Sequence, residues 1–86
     1  MPKVEIYTKF FCGYCARAKR LLDAKGVDYE EHEVTADFDK RAEMIHRAHG
    51  RTTVPQIFID GRHVGGSDDL HELDRAGRLD LLLRRG

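Results

Sequence analysis

The sequence predicts one small α/β domain in which a mixed four-stranded sheet is flanked by helices. Three observations support this prediction. Short β-prone runs alternate with segments of helical periodicity, a hairpin signal at Asp60-Gly61 joins two late strand-like runs, and glycines follow the helical segments. Eighty-six residues suffice for one compact core but not for a second domain, so residues 1–86 are expected to form a single domain.

The first half of the chain predicts the order β-α-β-α. Apolar and polar residues alternate in a first strand over residues 4–8, and a helix is expected from 13 to 25 with Gly26 as its stop. A weak, glutamate-rich strand is expected over 27–34. A second helix then begins within 35–39 and ends at Gly50. Its predicted buried stripe consists of Phe38, Ala42, Ile45 and Ala48 or His49.

The second half predicts a β-hairpin followed by helices. Pro55 cannot donate a ladder hydrogen bond, so the third strand should begin near Gln56. The Asp60-Gly61 turn should lead into a short return strand over 62–65. Ser67 is expected to cap a third helix, and a last short helix contains Leu79, Leu82 and Leu83. This order predicts a central mixed sheet covered by helices.

Composition argues against several classes of partner. The 15 basic and 15 acidic residues balance, so no overall field attracts nucleic acid or an anionic membrane. The sequence has no apolar run near the roughly 20 residues of a membrane span, and its first residues lead into a strand pattern instead of a signal peptide. We therefore expect a cytoplasmic protein that binds neither nucleic acid nor a membrane.

The two cysteines, Cys12 and Cys15, form a CxxC motif where the first strand gives way to the first helix. Backbone N–H groups and the dipole at a helix N-terminus stabilise a thiolate, which is the reactive form. Basic residues nearby in the sequence would favour the same form if they fold close to it: Lys9, Arg17, Lys19 and Arg20. A structural disulfide is not expected in a reducing compartment, so we favour a redox-active dithiol.

Two other interpretations of the CxxC stay open at this point. The motif would be half of a zinc site if His46 and His49 formed the other half. These histidines lie about 30 residues beyond Cys15, whereas compact Cys2His2 sites space their halves by about 12 to 15. The remaining interpretation is a pair of small buried residues.

Two further segments have the features of ligand-binding elements. A cis Val54–Pro55 bond would leave the Val54 backbone facing outward, able to pair with an extended peptide. A trans proline that simply opens the third strand fits the local sequence equally well. In residues 65–69, two glycines precede a helix start whose free N–H groups can bind an anion, although such starts are also common where nothing binds.

Taken together, these motifs resemble those of the glutaredoxins, and in particular the small bacterial dithiol members of that family. The blocks concerned are residues 4–9, the CxYC of 12–15, residues 51–60 with the core TVPQIFID, and residues 65–70. They follow in order across almost the whole chain, and CxYC combined with TVP and GGxDD is highly specific. The resemblance implies the thioredoxin fold, a four-stranded mixed sheet with flanking helices, here with an extra short C-terminal helix.

The resemblance also implies an activity: glutathione-dependent reduction of protein–glutathione mixed disulfides and of protein disulfides. Cys12 would be the nucleophile and Cys15 the resolving cysteine. Glutathione would be the reductant, glutathionylated or disulfide-containing proteins the partners, and the protein a monomer. The residues implied in glutathione binding are Lys9, Tyr14, Thr53, Val54, Pro55, Gly66, Ser67 and Asp68, with Arg51 or Thr52 as further contributors.

Gly13 departs from the commonest dithiol pattern, which has proline there. In the family, a small residue at this position is associated with a [2Fe–2S] cluster held between two protomers by the first cysteine of each and two glutathiones. Cys12 would then ligate iron, whereas no metal is expected in an isolated monomer. A further alternative is a glutathione-independent, thioredoxin-like electron donor, against which the absence of Trp before the CxxC argues.

Overall fold

A computed structural model describes residues 2–84 as four strands and four helices. The strands are β1 (Val4–Thr8), β2 (Glu30–Glu33), β3 (Gln56–Ile59) and β4 (Arg62–Gly65). The helices are α1 (Gly13–Ala24), α2 (Phe38–Arg47), α3 (Ser67–Arg75) and α4 (Leu79–Arg84). The predicted order of elements, including the short C-terminal helix, is confirmed.

The sheet is mixed and has the strand order β2-β1-β3-β4. β1 runs parallel to β2 and antiparallel to β3, and β3 is antiparallel to β4. All five residues of β1 are buried, including Glu5 and Tyr7. The alternation in its sequence therefore separates two buried faces of a central strand, one under α2 and one under the other helices.

Two hydrophobic clusters fill these faces. Residues of β1 and β3 pack against α1, α3 and α4 in a cluster of Val4, Ile6, Ala18, Leu22, Ile57, Ile59, Leu70, Leu79 and Leu83. The cluster under α2 consists of Tyr7, Val34, Met44, Ala48 and Phe58. The helices α1 and α3 thus lie on one face of the sheet and contact each other, which places the start of α1 near the start of α3.

The predicted buried stripe of α2 was right for Ala48 and in part for Ile45, and wrong for Phe38 and Ala42. Phe38 is 80% exposed and Ala42 is exposed, whereas Met44 and Ala48 are fully buried. At about 100° per residue, Phe38 and Ala42 lie roughly 120° to 160° around the helix axis from Met44. The helix therefore turns the row of Met44 and Ala48 towards the sheet, with Ile45 at its margin.

Two element boundaries also differ from the prediction. The second strand covers only Glu30–Glu33, although Val27 and Tyr29 still pack against the first cluster. The N-cap of α3 is Gly66 instead of Ser67, which is the first helical residue and is buried. The Asp69 carboxylate reaches back and accepts a hydrogen bond from the Gly66 N–H at 2.8 Å, so no Ser67 cap is needed.

The hairpin between β3 and β4 turns at Asp60-Gly61, as predicted. Both residues have positive φ, 52° and 79°, which is the conformation of a type I′ turn. The Asp60 side chain also accepts a hydrogen bond from the Lys3 N–H at 2.9 Å. The turn is thereby attached to the residue that precedes β1.

Under α2, an ion pair accounts for the burial of a carboxylate in the central strand. Arg47 donates to the two carboxylate oxygens of Glu5 at 2.8 and 3.1 Å, and to the Tyr7 hydroxyl at 2.7 Å. The guanidinium lies 4.1 Å from the centroid of the Phe58 ring, and His32 Nε2 lies 3.2 Å from Glu5. Arg47 therefore provides the charge and the donors that a buried Glu5 requires.

This ion pair predicts a specific loss of stability in acid. The Arg47 hydrogen bonds hold the pKa of Glu5 at about 2, well below its ordinary value of 4.5. Because the folded-state pKa is the lower one, the stabilisation is present above about pH 4.5 and is lost as the pH falls towards 2. We expect Glu5 to account for about 3 kcal/mol of the fall in unfolding free energy across this range, as measured by urea unfolding at several pH values.

Two variants separate this effect from general acid unfolding. Glu5→Gln should lose the Glu5 part of the pH dependence, whereas Arg47→Met leaves a buried carboxylate unpaired and should cost about 3 kcal/mol at pH 7. The expected difference between Arg47→Met and wild type shrinks at pH 3. An unchanged pH slope in Glu5→Gln would contradict the assignment.

Candidate active site

Cys12 is the N-cap of α1. Its backbone is extended (φ −108°, ψ 108°), and its Sγ accepts a hydrogen bond from the Cys15 N–H at 3.1 Å. The first N–H groups of a helix have no intrahelical acceptor, and here one of them points at the sulfur. The Cys12 sulfur therefore lies at the positive end of the helix dipole, beside a free backbone donor. The predicted placement of the CxxC motif at the start of the helix is confirmed.

The two thiols have different environments. Cys15 is only 2% exposed, whereas the Cys12 side chain is partly exposed, and both are free. Burial raises the pKa of Cys15 to about 12, and the hydrogen bond with Cys12 acts in the same direction. Cys15 is therefore held as a neutral thiol while Cys12 is the sulfur that other molecules can reach.

A cleft of about 240 Å³ is formed by the residues before β3, the start of α3, and Tyr14 of the CxxC motif. Its lining consists of Tyr14, Arg51, Thr53, Val54, Pro55, Gly66, Ser67, Asp68 and Asp69. Seven of the eight residues that the sequence predicts around glutathione thus lie together. The eighth, Lys9, is exposed just after β1 and is not part of the lining, and neither is Thr52.

One wall of the cleft contains the Val54–Pro55 peptide, which is cis. The alternative of a trans proline is therefore wrong. Pro55 is buried and Val54 is partly buried, directly before β3. The cis bond is the condition under which the sequence analysis expects the Val54 backbone to pair with an extended peptide.

The opposite wall is the N-terminus of α3. Ser67 and Asp68 are the first two residues of this helix, so their N–H groups lack intrahelical acceptors. Gly65 precedes them with φ 119°, and a side chain at this position would overlap the Asp69 carboxylate. Free N–H groups and the helix dipole make this wall suited to an anion.

Asp69 is a cleft residue that the sequence analysis did not identify as part of the site. Its carboxylate accepts from the Gly66 N–H and lies 3.2 Å from Arg51 Nη1. The Gly66 hydrogen bond and then Arg51 lower the pKa of Asp69. Asp69 therefore stays charged and links the segment before β3 to the turn that leads into α3. Of Arg51 and Asp69, the sequence analysis associated only Arg51 with binding.

Four aromatic side chains are exposed, and we call them the aromatic rim: Phe10, Phe11 and Tyr14, which are close to Cys12 in the sequence, and Phe38, which lines a groove with Phe10. The Phe10 N–H donates to Thr35 Oγ1 at 2.9 Å, which ties the segment before Cys12 to the loop before α2. Phe10 and Phe38 line a common groove with acidic residues. The sequence analysis assigned Phe38 to the core, so the rim is a feature that only the folded chain shows.

The predicted basic surroundings of the thiols are only partly present. Lys19 is paired with Glu31 at 3.0 Å, which raises the pKa of Lys19 and compensates its charge. Arg17 and Arg20 are exposed. Among the features predicted around the thiols, the helix N-terminus contacts the Cys12 sulfur directly, through the Cys15 N–H.

The zinc interpretation has no support within residues 2–84. In that range, the only three His, Cys, Asp or Glu side chains placed to share a metal ion are Glu5, Glu30 and His32. This group contains neither cysteine, nor the histidines of the HxxH pair. Its Glu5 is already engaged by Arg47 and His32.

A larger cavity, of about 590 Å³, lies between β4, α3 and α4. No residue of the CxxC motif lines it, whereas Tyr14 of that motif lines the smaller cleft. Of the helices within residues 2–84, none has the length and apolar character needed to cross a membrane.

The unequal thiols predict selective alkylation. With a pKa of about 12, only about one Cys15 in 10⁴ is ionised at pH 8. Iodoacetamide should therefore label Cys12 alone in the folded protein, as measured by mass spectrometry. In Cys12→Ser, Cys15 should stay unlabelled until urea unfolds the chain. Labelling of both cysteines at comparable rates in the folded protein would contradict this arrangement.

Comparison with known proteins identifies the family of this chain. The glutaredoxin family model matches residues 4–64. Glutaredoxin 3 of Escherichia coli (strain K12) is 58% identical over 84 residues, which are 98% of this chain and 100% of that protein. A crystal structure of a buckwheat glutaredoxin–glutathione complex has a TM-score of 0.84 and 36% identity, and the match covers 95% of this chain and 76% of that one.

A further solved structure, from work on metal binding of glutaredoxins, has a TM-score of 0.75 and 53% identity, and the match covers 100% of this chain and 92% of that one. These neighbours confirm the thioredoxin-type α/β fold. The family match spans most of the chain and includes both cysteines. This protein belongs to the glutaredoxin family of thiol–disulfide oxidoreductases.

Proposed function

We propose that this protein uses glutathione to reduce protein–glutathione mixed disulfides and protein disulfides. The observation that carries the proposal is the cleft, in which an outward-facing backbone segment and a helix N-terminus lie beside the CxxC motif. Glutathione is a tripeptide with two carboxylates and one amine, so it has a group for each of these features. The buckwheat relative was crystallised as a glutathione complex, which supports the same ligand here.

Each part of glutathione has a partner in this arrangement. The Val54 N–H and C=O pair with the cysteinyl backbone as an added strand. The N–H groups of Ser67 and Asp68 bind the γ-glutamyl carboxylate, and the Asp68 side chain binds its amine. Lys9, exposed after β1, binds the glycyl carboxylate from outside the cleft. The remaining predicted residues, Tyr14, Thr53, Pro55 and Gly66, shape the walls.

The first reaction is removal of glutathione from a protein. The Cys12 thiolate attacks the glutathione sulfur of the mixed disulfide, and the protein thiolate leaves and takes a proton from water. Cys12 is then bonded to glutathione. The thiolate of a second glutathione attacks the bound glutathione sulfur, which releases the Cys12 thiolate and forms oxidised glutathione.

Reduction of a protein disulfide requires Cys15. Cys12 attacks one sulfur of the client, and Cys15 then attacks the Cys12 sulfur, releasing the reduced client and leaving a Cys12–Cys15 disulfide. Formation of the mixed disulfide removes the negative charge on Cys12, which is one cause of the raised pKa of Cys15. Cys15 therefore loses its proton more readily when it has to act. Two glutathione molecules then reduce the bridge.

Protein clients have a surface to contact in the aromatic rim. Exposed apolar side chains around a reactive group are typical of interaction sites. Phe11 and Phe38 are the most exposed members, and Phe11 directly precedes Cys12. Because the cycle consumes reduced glutathione, we place the protein, as a monomer, in the cytoplasm, where that thiol is maintained.

The cysteine roles predict different behaviour for two matched variants. Cys12→Ser should abolish release of glutathione from a glutathionylated peptide, because the nucleophile is lost. Cys15→Ser should retain most of this activity and lose the reduction of a protein disulfide. A coupled assay with glutathione, glutathione reductase and each substrate measures both reactions.

The same assay without glutathione tests the alternative of a thioredoxin-like donor. We expect no turnover when thioredoxin reductase replaces glutathione and glutathione reductase. Turnover in that arm, or full activity of Cys12→Ser, would contradict the proposal.

A second function, ligation of a [2Fe–2S] cluster, is favoured by the space at the start of α1. A side chain at Gly13 would meet nothing within 4 Å, so a second chain can approach the partly exposed Cys12. Such clusters are held by four thiolates. Since Cys15 is buried, two chains would offer one Cys12 each and two glutathione thiols would complete the set. The relative studied for metal binding supports this candidate.

Gly13→Pro tests the cluster function while leaving the helix intact, because proline is well tolerated at the first helical position. After anaerobic incubation with iron, sulfide and glutathione, the wild type should show visible cluster absorption and elute as a dimer. Gly13→Pro and Cys12→Ser should remain colourless monomers. A colourless monomeric wild type would reject this second function and leave the reductase proposal unaffected.

A further inference from the structure

Gln56, the first residue of β3, is fully buried and forms hydrogen bonds through both the nitrogen and the oxygen of its side-chain amide. Its Nε2 donates to the Thr53 carbonyl at 2.9 Å and to Thr53 Oγ1 at 3.2 Å. Its Oε1 lies 2.6 Å from His63 Nε2. Because the amide nitrogen faces a carbonyl, which only accepts, the amide oxygen faces His63 and His63 Nε2 is the donor. A chain of hydrogen bonds, each from donor to acceptor, thus runs from His63 through Gln56 to Thr53.

The chain ends at the peptide group that borders the cleft. The Thr53 carbonyl and the Val54 N–H belong to one trans peptide, so they point in opposite directions. A donor that holds the carbonyl therefore sets the direction of the Val54 N–H. Successive hydrogen bonds also polarise one another, which makes that N–H a stronger donor.

His63 lies at the end of this hydrogen-bond chain away from the cleft, and two aromatic rings hold it in place. Its ring stacks on Phe58, with 5.1 Å between centroids, and lies 5.7 Å from the ring of His49. Burial, followed by the charge of Arg51 and by His49, lowers the pKa of His63, while Asp69 acts in the opposite direction. His63 lines the larger cavity and not the cleft, and its hydrogen bond towards the cleft is the one with Gln56.

We propose that His63 and Gln56 are positioning residues that orient the Val54 N–H towards the cysteinyl backbone of glutathione. They act on the affinity for glutathione and for glutathionylated substrates, and they leave the reactivity of Cys12 unchanged. This inference rests on the proposed function, because it requires glutathione to pair with Val54.

Three variants test the chain by a double-mutant cycle. Gln56→Met keeps the length of the side chain without its amide, and His63→Phe keeps the ring on Phe58 without its N–H. Each should raise the KM for a glutathionylated peptide about 10-fold, the effect of one weakened hydrogen bond, with little change in kcat or in the alkylation rate of Cys12. The double variant should be no worse than Gln56→Met alone, because the chain is already broken.

Two further variants of this protein serve as controls. His63→Gln retains an N–H donor and should recover part of the KM lost in His63→Phe. His46→Phe makes the same substitution at an exposed histidine of α2 that lies outside the chain, and should match the wild type. Thermal unfolding of every variant monitors folding, and His63→Phe, at a partly exposed position, tests the proposal if Gln56→Met fails to fold.

The Val54 amide resonance provides a readout independent of activity. In His63→Phe this resonance should move upfield, and its shift on addition of S-methylglutathione should decrease. Unchanged KM values with an unmoved resonance, or additive effects in the double variant, would overturn the inference. If the wild type itself shows no saturation with the glutathionylated peptide, the proposed function fails instead, so the two failures are distinguishable.

Discussion

The register between β1 and β3 determines where the site is assembled. Tyr7 pairs with Gln56, so the segment before β3 comes to lie beside the loop that follows β1 and leads to Cys12. A slip by one residue would exchange the faces of Ile57 and Phe58, which belong to the two different clusters. Both faces of β1 are buried, so neither cluster tolerates that exchange. The hydrophobic pattern of the central strands thus positions the cleft, although no strand residue lines it.

On this scaffold, one helix N-terminus makes two cysteines chemically unequal. Cys12 precedes the first turn and accepts a backbone N–H, whereas Cys15 lies one turn further and is buried against the sheet. The same backbone geometry therefore gives one sulfur a hydrogen-bond donor and access to solvent, and holds the other as a buried, protonated thiol. Cys12 also raises the pKa of Cys15. The spacing of the two cysteines therefore determines that Cys12 reacts first and Cys15 second.

Local sequence predicts most of the fold and the motifs of the site, but not the contacts that join them. The CxxC at the helix start and the Asp60-Gly61 turn are local features, and both were predicted correctly. The isomer of the Val54–Pro55 bond was left open, because local sequence favours neither form. In α2, apolar residues occur on two faces, so periodicity alone did not distinguish Phe38 from Met44. Asp69 and His63 were not identified because their partners, Arg51 and Gln56, are neighbours only in the folded chain.

In the proposed binding mode, glutathione contacts mainly backbone groups of the cleft, and this determines which substitutions matter. A backbone N–H is present whatever the side chain, so changes at Val54 or Ser67 that keep the local conformation leave the hydrogen-bonding groups in place. The direction of these groups is set by side chains such as Gln56, outside the cleft lining, and Asp69, within it, which hold the Thr53 carbonyl and the Gly66 N–H. Substitutions at these supporting positions alter the geometry of the backbone donors. On the proposed function, recognition of the tripeptide therefore depends on polar residues that hold the backbone of the cleft, whereas recognition of protein clients depends on the exposed side chains of the aromatic rim.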